Sequence, residues 1–192
     1  MSEGAEIQNA VVSIMSSNGA TLSPCGTYRY ALTRETGQFD ARMLLWVMLN
    51  PSTADAMNDD PTIRKVVGFT RRAGYGMACV VNLFAFRATK PTDLRRAARE
   101  RGLPFAEGPH NRAAVSIAAG MSDAIVCAWG ADPFAVERGR AAFKFLSSRG
   151  KPTLCVGTTK DGAPLHPLMP SYDGHPLVQF QALPSSSASE AT

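Results

Sequence analysis

The sequence predicts an α/β fold, a three-layer α/β/α sandwich around a mostly parallel central sheet. Three observations predict it. Four short, nearly uniform apolar runs, Met43 to Leu49, Met77 to Leu83, Ala124 to Trp129 and Thr153 to Val156, each meet an Asn or a Gly at their end, as strands covered by helices on both faces do. Amphipathic stretches with recognisable starts and stops separate them. The chain has 192 residues, 45% of them hydrophobic and 19% charged, which is enough for one substantial core and not for two.

In chain order, residues 1–20 are rich in Ser, Ala, Asn and Gly with little periodicity, and predict a flexible N-terminus. Residues 21–183 form the single α/β domain. It opens with Tyr28 to Thr33, which alternates as a strand does and is followed by the turn Glu35-Thr36-Gly37-Gln38, so an N-terminal hairpin is expected. After the first apolar run, Asp60-Pro61 sets a capping carboxylate before a first-turn proline, and the helix runs on to Gly74. Thr89 to Asp93 opens a second helix, Pro109 to Gly120 makes a third, and Pro133 to Ser148 a fourth; Gly150 and Pro152 punctuate the return to the sheet. Residues 184–192 read as a disordered tail.

The N-terminus has no apolar stretch of signal-peptide length, and no later run approaches the roughly 20 residues of a bilayer span, so a soluble cytoplasmic protein without membrane contact is expected. Cys79, Cys127 and Cys155 lie inside apolar segments without C-x-x-C spacing and read as small buried hydrophobes. A net charge of +4 is compatible with a polyanionic partner and too mild to demonstrate one. Phosphate-loop, dinucleotide, nucleophile-elbow and zincin motifs are absent, which disfavours nucleoside triphosphatases, dehydrogenases, serine hydrolases and zinc proteases.

Three polar segments end three strands: Asn50-Pro51-Ser52-Thr53 with Asp55, Asp59 and Asp60; Asn82 through Thr89; and Gly157 through Leu168. In a parallel sheet they share the carboxyl edge and face one crevice. Each residue also has a plain reading. Asn50 to Thr53 is an ordinary turn in composition, and Asp60 is a helix cap. Asn82 either bonds a neighbouring loop or pairs with the edge of a base. His166, beside Pro167 and near Lys160, is structural or functional by its loop position. Phe84 and Phe86 share one side of an extended segment and are core or stacking groups. Trp129-Gly130 is expected to shape the pocket wall. Arg64, Lys65, Arg71 and Arg72 line one side of a helix, and Arg95, Arg96, Arg99 and Arg101 form a second cluster; Arg64, Arg71 and Arg95 are the candidates for phosphate contact.

Six segments carry a resemblance: Ser23 to Tyr30, Leu49 to Asp55, Asp60 to Thr62, Val81 to Thr89, Ala128 to Gly130, and Thr159 to Gly162 with His166-Pro167-Leu168. In them the chain resembles the bacterial and phage family known as domain of unknown function 1643. It also distantly resembles the uracil-DNA glycosylases, in which one strand ends in Asn-Pro or Asp-Pro, a later one in Asn, and a late loop carries His-Pro. Asn50-Pro51, Asn82 and His166-Pro167 occur here in that order.

That resemblance implies a uracil-DNA-glycosylase-like fold and hydrolysis of an N-glycosidic bond. Asn50 positions the water, Asn82 reads an extruded base, and His166 steadies negative charge on the departing base. No metal or cofactor is implied. Pro51, Ser52, Thr53, Asp55, Phe84, Arg87 and Lys160 complete the expected substrate contacts, with DNA or a nucleotide as partner. Ser52, Thr53 and Thr159 to Gly162 depart from the glycosylase pattern. Two other classes stand beside this reading: a metal-dependent phosphodiesterase using Asp55, Asp59, Asp60 and His166, and a non-catalytic nucleic-acid-binding module.

Overall fold

The computed structural model describes residues 3–15 and 17–181. Its centre is a seven-stranded sheet, comprising β1 (Gly19–Leu22), β2 (Arg29–Glu35), β3 (Met43–Met48), β4 (Met77–Asn82), β5 (Ala124–Cys127), β6 (Thr153–Cys155) and β7 (Val178–Gln179). The spatial order is β1-β2-β4-β3-β5-β6-β7. The four middle strands β4, β3, β5 and β6 run parallel. Antiparallel strands flank them: β2 on β4, β1 on β2, and β7 on β6. The sheet is therefore mixed, with a parallel centre.

The four apolar runs become the four parallel strands because their side chains are buried on both faces. On one face Leu45, Val47, Cys79, Val81, Ile125 and Cys127 join Ala114 and Ala118 of α5 (Asn111–Met121) and Leu146 of α6 (Val136–Ser147). On the other, Leu44, Trp46, Ala78, Val80 and Val126 meet Ile63, Val66 and Phe69 of α2 (Pro61–Arg72). The buried Trp46 indole N–H donates to Thr70 Oγ1 at 2.9 Å, which removes the cost of an orphaned donor. Helix α2 starts where expected: Ile63 N–H donates to Asp60 Oδ1 at 2.9 Å, and Pro61 occupies the first turn. Gly74, at φ +81°, turns the chain back toward β4. Cys79, Cys127 and Cys155 are buried, as their apolar settings predict.

Two expectations need correction. The N-terminal segment is not loose: Glu3–Ser13 is helix α1, with Ile7 and Val11 buried, and Met15 follows them into the core. The hairpin forms between β2 and the preceding β1, not with β3, because β4 inserts between β2 and β3. The second helix opens where expected, as α3 (Pro91–Arg101), and a short helix the sequence did not announce, α4 (Leu103–Glu107), follows it after Gly102. The predicted tail at 184–192 lies outside the described residues. No helix among those described is long and apolar enough to cross a membrane.

Candidate functional site

Parallel strands deliver the segments that follow them to one edge of the sheet. Backbone bonds zip the first two together there. Leu83 N–H donates to Met48 O at 2.8 Å, Phe84 N–H to Leu49 O at 3.0 Å, and Ala88 N–H to Pro51 O at 2.9 Å. Asn50 adds a side-chain tie: Nδ2 donates to Ala88 O at 2.7 Å and to Pro51 O at 3.0 Å. Both partners are carbonyls, so the orientation of the amide is fixed, and Oδ1 is left as its acceptor.

Two arginines of β2 hold the next stretch from below. Arg34, buried, donates to Asp59 Oδ1 at 2.7 Å and to Asp55 O at 2.6 Å. Arg29, 3% exposed, donates from Nη1 to Ala54 O at 2.8 Å. Burial lowers its pKa to about 10 while Asp60 opposes the shift, so the guanidinium stays charged at neutral pH. Its Nε has no partner.

The fourth segment folds back through Leu165 N–H to Gly157 O and Thr159 N–H to Ala163 O, both 2.9 Å, and so presents His166. An added Cβ on Gly130 would sit 3.5 Å from His166 Cβ, so the segment after β5 abuts this histidine directly. Leu168 N–H donates to His166 Nδ1 at 3.3 Å. Nδ1 is thereby the acceptor, and Nε2 carries the proton of the neutral ring. Burial pushes the pKa of His166 below its ordinary value, with a smaller opposing pull from Asp60.

These segments enclose a cavity of about 370 Å³ lined by Arg29, Asn50, Ser52, Asp60, Thr62, Asn82, Trp129, Gly130, Asp132 and His166, among others. Asn82 is the most buried polar group in it, at 1% exposure, and neither its Nδ2 nor its Oδ1 has a hydrogen-bond partner. In the parallel ladder it stands opposite Met48.

The structure thus brings Asn50, Ser52, Asn82 and His166 together, along with the wall residues Trp129 and Gly130. Asp60 lines it too, while the other candidates for substrate contact lie elsewhere. Phe84 is buried and stacks on Phe134, with ring centroids 4.8 Å apart, and Phe86 packs against Phe105. Pro51 is buried and Thr53 exposed, neither of them in the cavity wall. Asp55 accepts from Met57 N–H and Asn58 N–H, both at 2.9 Å, and these bonds lower its pKa. Arg87 donates to Gly26 O at 3.2 Å, and Lys160 lines a neighbouring cavity beyond Trp129.

Of the phosphate candidates, Arg95 pairs with Asp132 at 2.5 Å on the cavity rim, and Arg64 donates to Asp59 O at 2.7 Å. Arg71 donates to Thr36 O, past the far end of β2 and away from the cavity. Of the four donors proposed for a metal, Asp60 and His166 both line the cavity, while Asp59 pairs with Arg34 and Asp55 closes its own turn; Asp60 also caps α2. Among the described residues no group of three or more His, Cys, Asp and Glu is arranged to hold a metal ion.

Sequence reasoning missed Arg29, Thr62 and Asp132. The signal for Arg29 was faint: an arginine between Tyr28 and Tyr30 in an alternating strand reads as solvent-facing.

The His166 segment is docked onto α2. Tyr172 lies edge-on to Phe69 with centroids 4.8 Å apart, under Lys65 and Arg72 at 4.5 and 4.1 Å from its ring centre, while Lys65 Nζ donates to Pro170 O at 2.7 Å. Gly68 makes room, since a Cβ there would stand 2.3 Å from Tyr172 Oη. Gly68→Ala should therefore displace Tyr172. Overpacking costs about 1–3 kcal/mol, and the better helix propensity of Ala returns at most about 1 kcal/mol. A net loss of stability in urea denaturation is expected; a net gain would mean that Tyr172 does not hold the segment on α2.

An α/β protein with an open cavity, polar side chains in its wall, at the carboxyl edge of its parallel strands is the class that fold and site define. Within it, this chain belongs to the family described as protein of unknown function (DUF1643), whose model matches residues 29–168. No curated protein and no solved structure matches the chain.

Proposed function

We propose that the protein hydrolyses the N-glycosidic bond of a nucleobase in nucleic acid, on a fold of uracil-DNA-glycosylase type. One observation carries the reading: Asn82 places an amide with two unpaired hydrogen-bonding atoms in the same cavity as Asn50 and His166. Leaving such groups unpaired costs about 1–3 kcal/mol each, a cost that a base edge presenting one donor and one acceptor offsets on binding.

The remaining roles follow from the hydrogen bonds. Asn50 is anchored through its nitrogen, so its Oδ1 accepts a hydrogen bond from a water and orients that water toward the sugar carbon. The carbon–nitrogen bond breaks as the sugar gains cationic character and the base departs as an anion. The Nε2–H of His166 donates to the oxygen on which that charge collects, and a neutral imidazole held in one tautomer serves as such a donor. Water then adds to the sugar carbon, and the proton it loses is taken up by the departed base anion, leaving an abasic site and a neutral free base.

Incubation of the full chain with duplex and single-stranded DNA carrying uracil, hydroxymethyluracil and other modified bases, followed by alkaline cleavage, reads abasic sites directly. Release of at least one base is expected. No release across the panel overturns the reading, and retained DNA binding that Asn50→Ala combined with His166→Ala leaves unchanged would favour a binding module.

A further inference from the structure

The cavity holds a second unpaired group. Arg29 is 3% exposed and has five N–H donors, yet Ala54 O is the acceptor they meet, and its Nε is orphaned. Among the described residues no carboxylate oxygen lies within 4.0 Å of its guanidinium nitrogens. Asp60, the nearest acid in the cavity wall, is committed to capping α2, and Asp132 is paired with Arg95. A buried, charged guanidinium with no acid in direct contact, only the longer-range pull of Asp60 and Asp55, is costly, and residues that line a ligand cavity are where such a cost is met by the ligand.

The position of Arg29 says which part of the ligand it meets. Strand β2 lies against β4 with Leu32 opposite Val80, so Arg29 and Asn82 come to the same end of neighbouring strands. They are buried, whereas Asn50, Ser52 and His166 are partly exposed. Arg29 and Asn82 therefore form the floor, and the half-exposed residues form the rim. A sugar-phosphate chain approaching from solvent meets the rim first.

We infer that the substrate carries an anionic group, a carboxylate or a phosphate, that enters the cavity and binds Arg29 beside Asn82. This rests on the nucleobase reading and narrows it: the preferred base or nucleotide is negatively charged, and Arg29 selects for the charge. A neutral pyrimidine leaves the guanidinium unpaired and binds more weakly. The floor position favours a substituent on the ring; a 5′-phosphate of a free nucleotide is the other source of the same chemistry.

Binding calorimetry on the full chain separates these cases without any need for turnover. Five probes suffice: uracil, uracil-5-carboxylate, its uncharged isostere uracil-5-carboxamide, deoxyuridine, and deoxyuridine 5′-monophosphate. The carboxylate is expected to bind about tenfold or more tightly than the carboxamide, since charge-assisted bonds are roughly twice as strong as neutral ones. Arg29→Met, which keeps the bulk, should abolish that preference, and the comparison of isosteres on the unaltered protein stands even if this variant does not fold. A preference for the monophosphate over deoxyuridine, with none for the carboxylate, assigns the anion to the phosphate. Equal binding of every charged ligand and its neutral counterpart overturns the inference, while the base-release assay tests the nucleobase reading separately.

Discussion

Asn82→Leu is expected to make the protein more stable and to abolish its action on a base. The side chain is 1% exposed and both of its polar atoms lack partners, so the folded state bears a desolvation penalty that leucine, with the same branched outline and no polar atoms, does not. A gain of about 1–3 kcal/mol follows, or roughly 2–10 °C in Tm for a chain of this size. The same replacement removes the donor and acceptor proposed to read the base. Sites built to hydrogen-bond a substrate discriminate strongly because their buried groups are otherwise left unpaired, and a loss of about 10²-fold or more in base release is expected. Thermal unfolding and base release measured on the same preparation check both halves. A destabilised variant with unaltered turnover would mean that Asn82 serves the core alone.

The second large effect is at His166. Removing one donor that faces a developing anion costs about 10²–10³ in rate, so His166→Ala is expected to lose that much with little change in stability. The pH profile is the sharper readout. The active ring is neutral, with Nδ1 taken by Leu168 N–H, and burial holds the pKa below the ordinary value of 6.5. The rate should therefore be flat through neutrality and fall only in acid below the usual histidine range, and that limb should vanish in the variant.

Stability moves with pH in the same sense. Because the folded pKa is depressed, the unfolded chain binds the proton more readily, so stability is fully present above about 6.5 and declines as the pH drops through the lower folded value. An acid limb centred above 6.5 would contradict a neutral donor.

How far the sequence spoke depends on whether a feature is written locally. Helix α2 was legible because its capping aspartate, first-turn proline and terminal glycine are consecutive instructions in the chain. The parallel strands were legible because burial on both faces leaves near-uniform apolar runs. The rim and floor residues Asn50, Asn82 and His166 were legible as polar groups ending such runs, and parallel topology then gathers them.

Pairing across the sheet is not local, so nothing near Tyr28 announced that β2 would lie on β4. Arg29 was hidden for the same reason: its burial comes from the stretch around Ala54 closing over it, 25 residues on. Helix α1 is a different miss. Ile7, Val11 and Met15 stand at four-residue spacing, and a small-residue background masked that period.

The order of strands also sets where the molecule is vulnerable to self-association. The seven-residue β2 has its outer backbone edge covered by β1, a strand of four residues, and at the opposite end of the sheet β7 has only two. Short edges of this kind give a second chain little to extend. The family match begins at Arg29, inside the first strand that needs covering. Removal of residues 1–28 would bare the full hydrogen-bonding edge of β2, together with the apolar surface now under Ile7 and Val11, and is expected to make the shortened chain aggregate by strand addition more readily than the full one. Light scattering during refolding of the shortened chain would register it; a clear, monodisperse solution would show that the flanking hairpin strand and helix are dispensable as a guard.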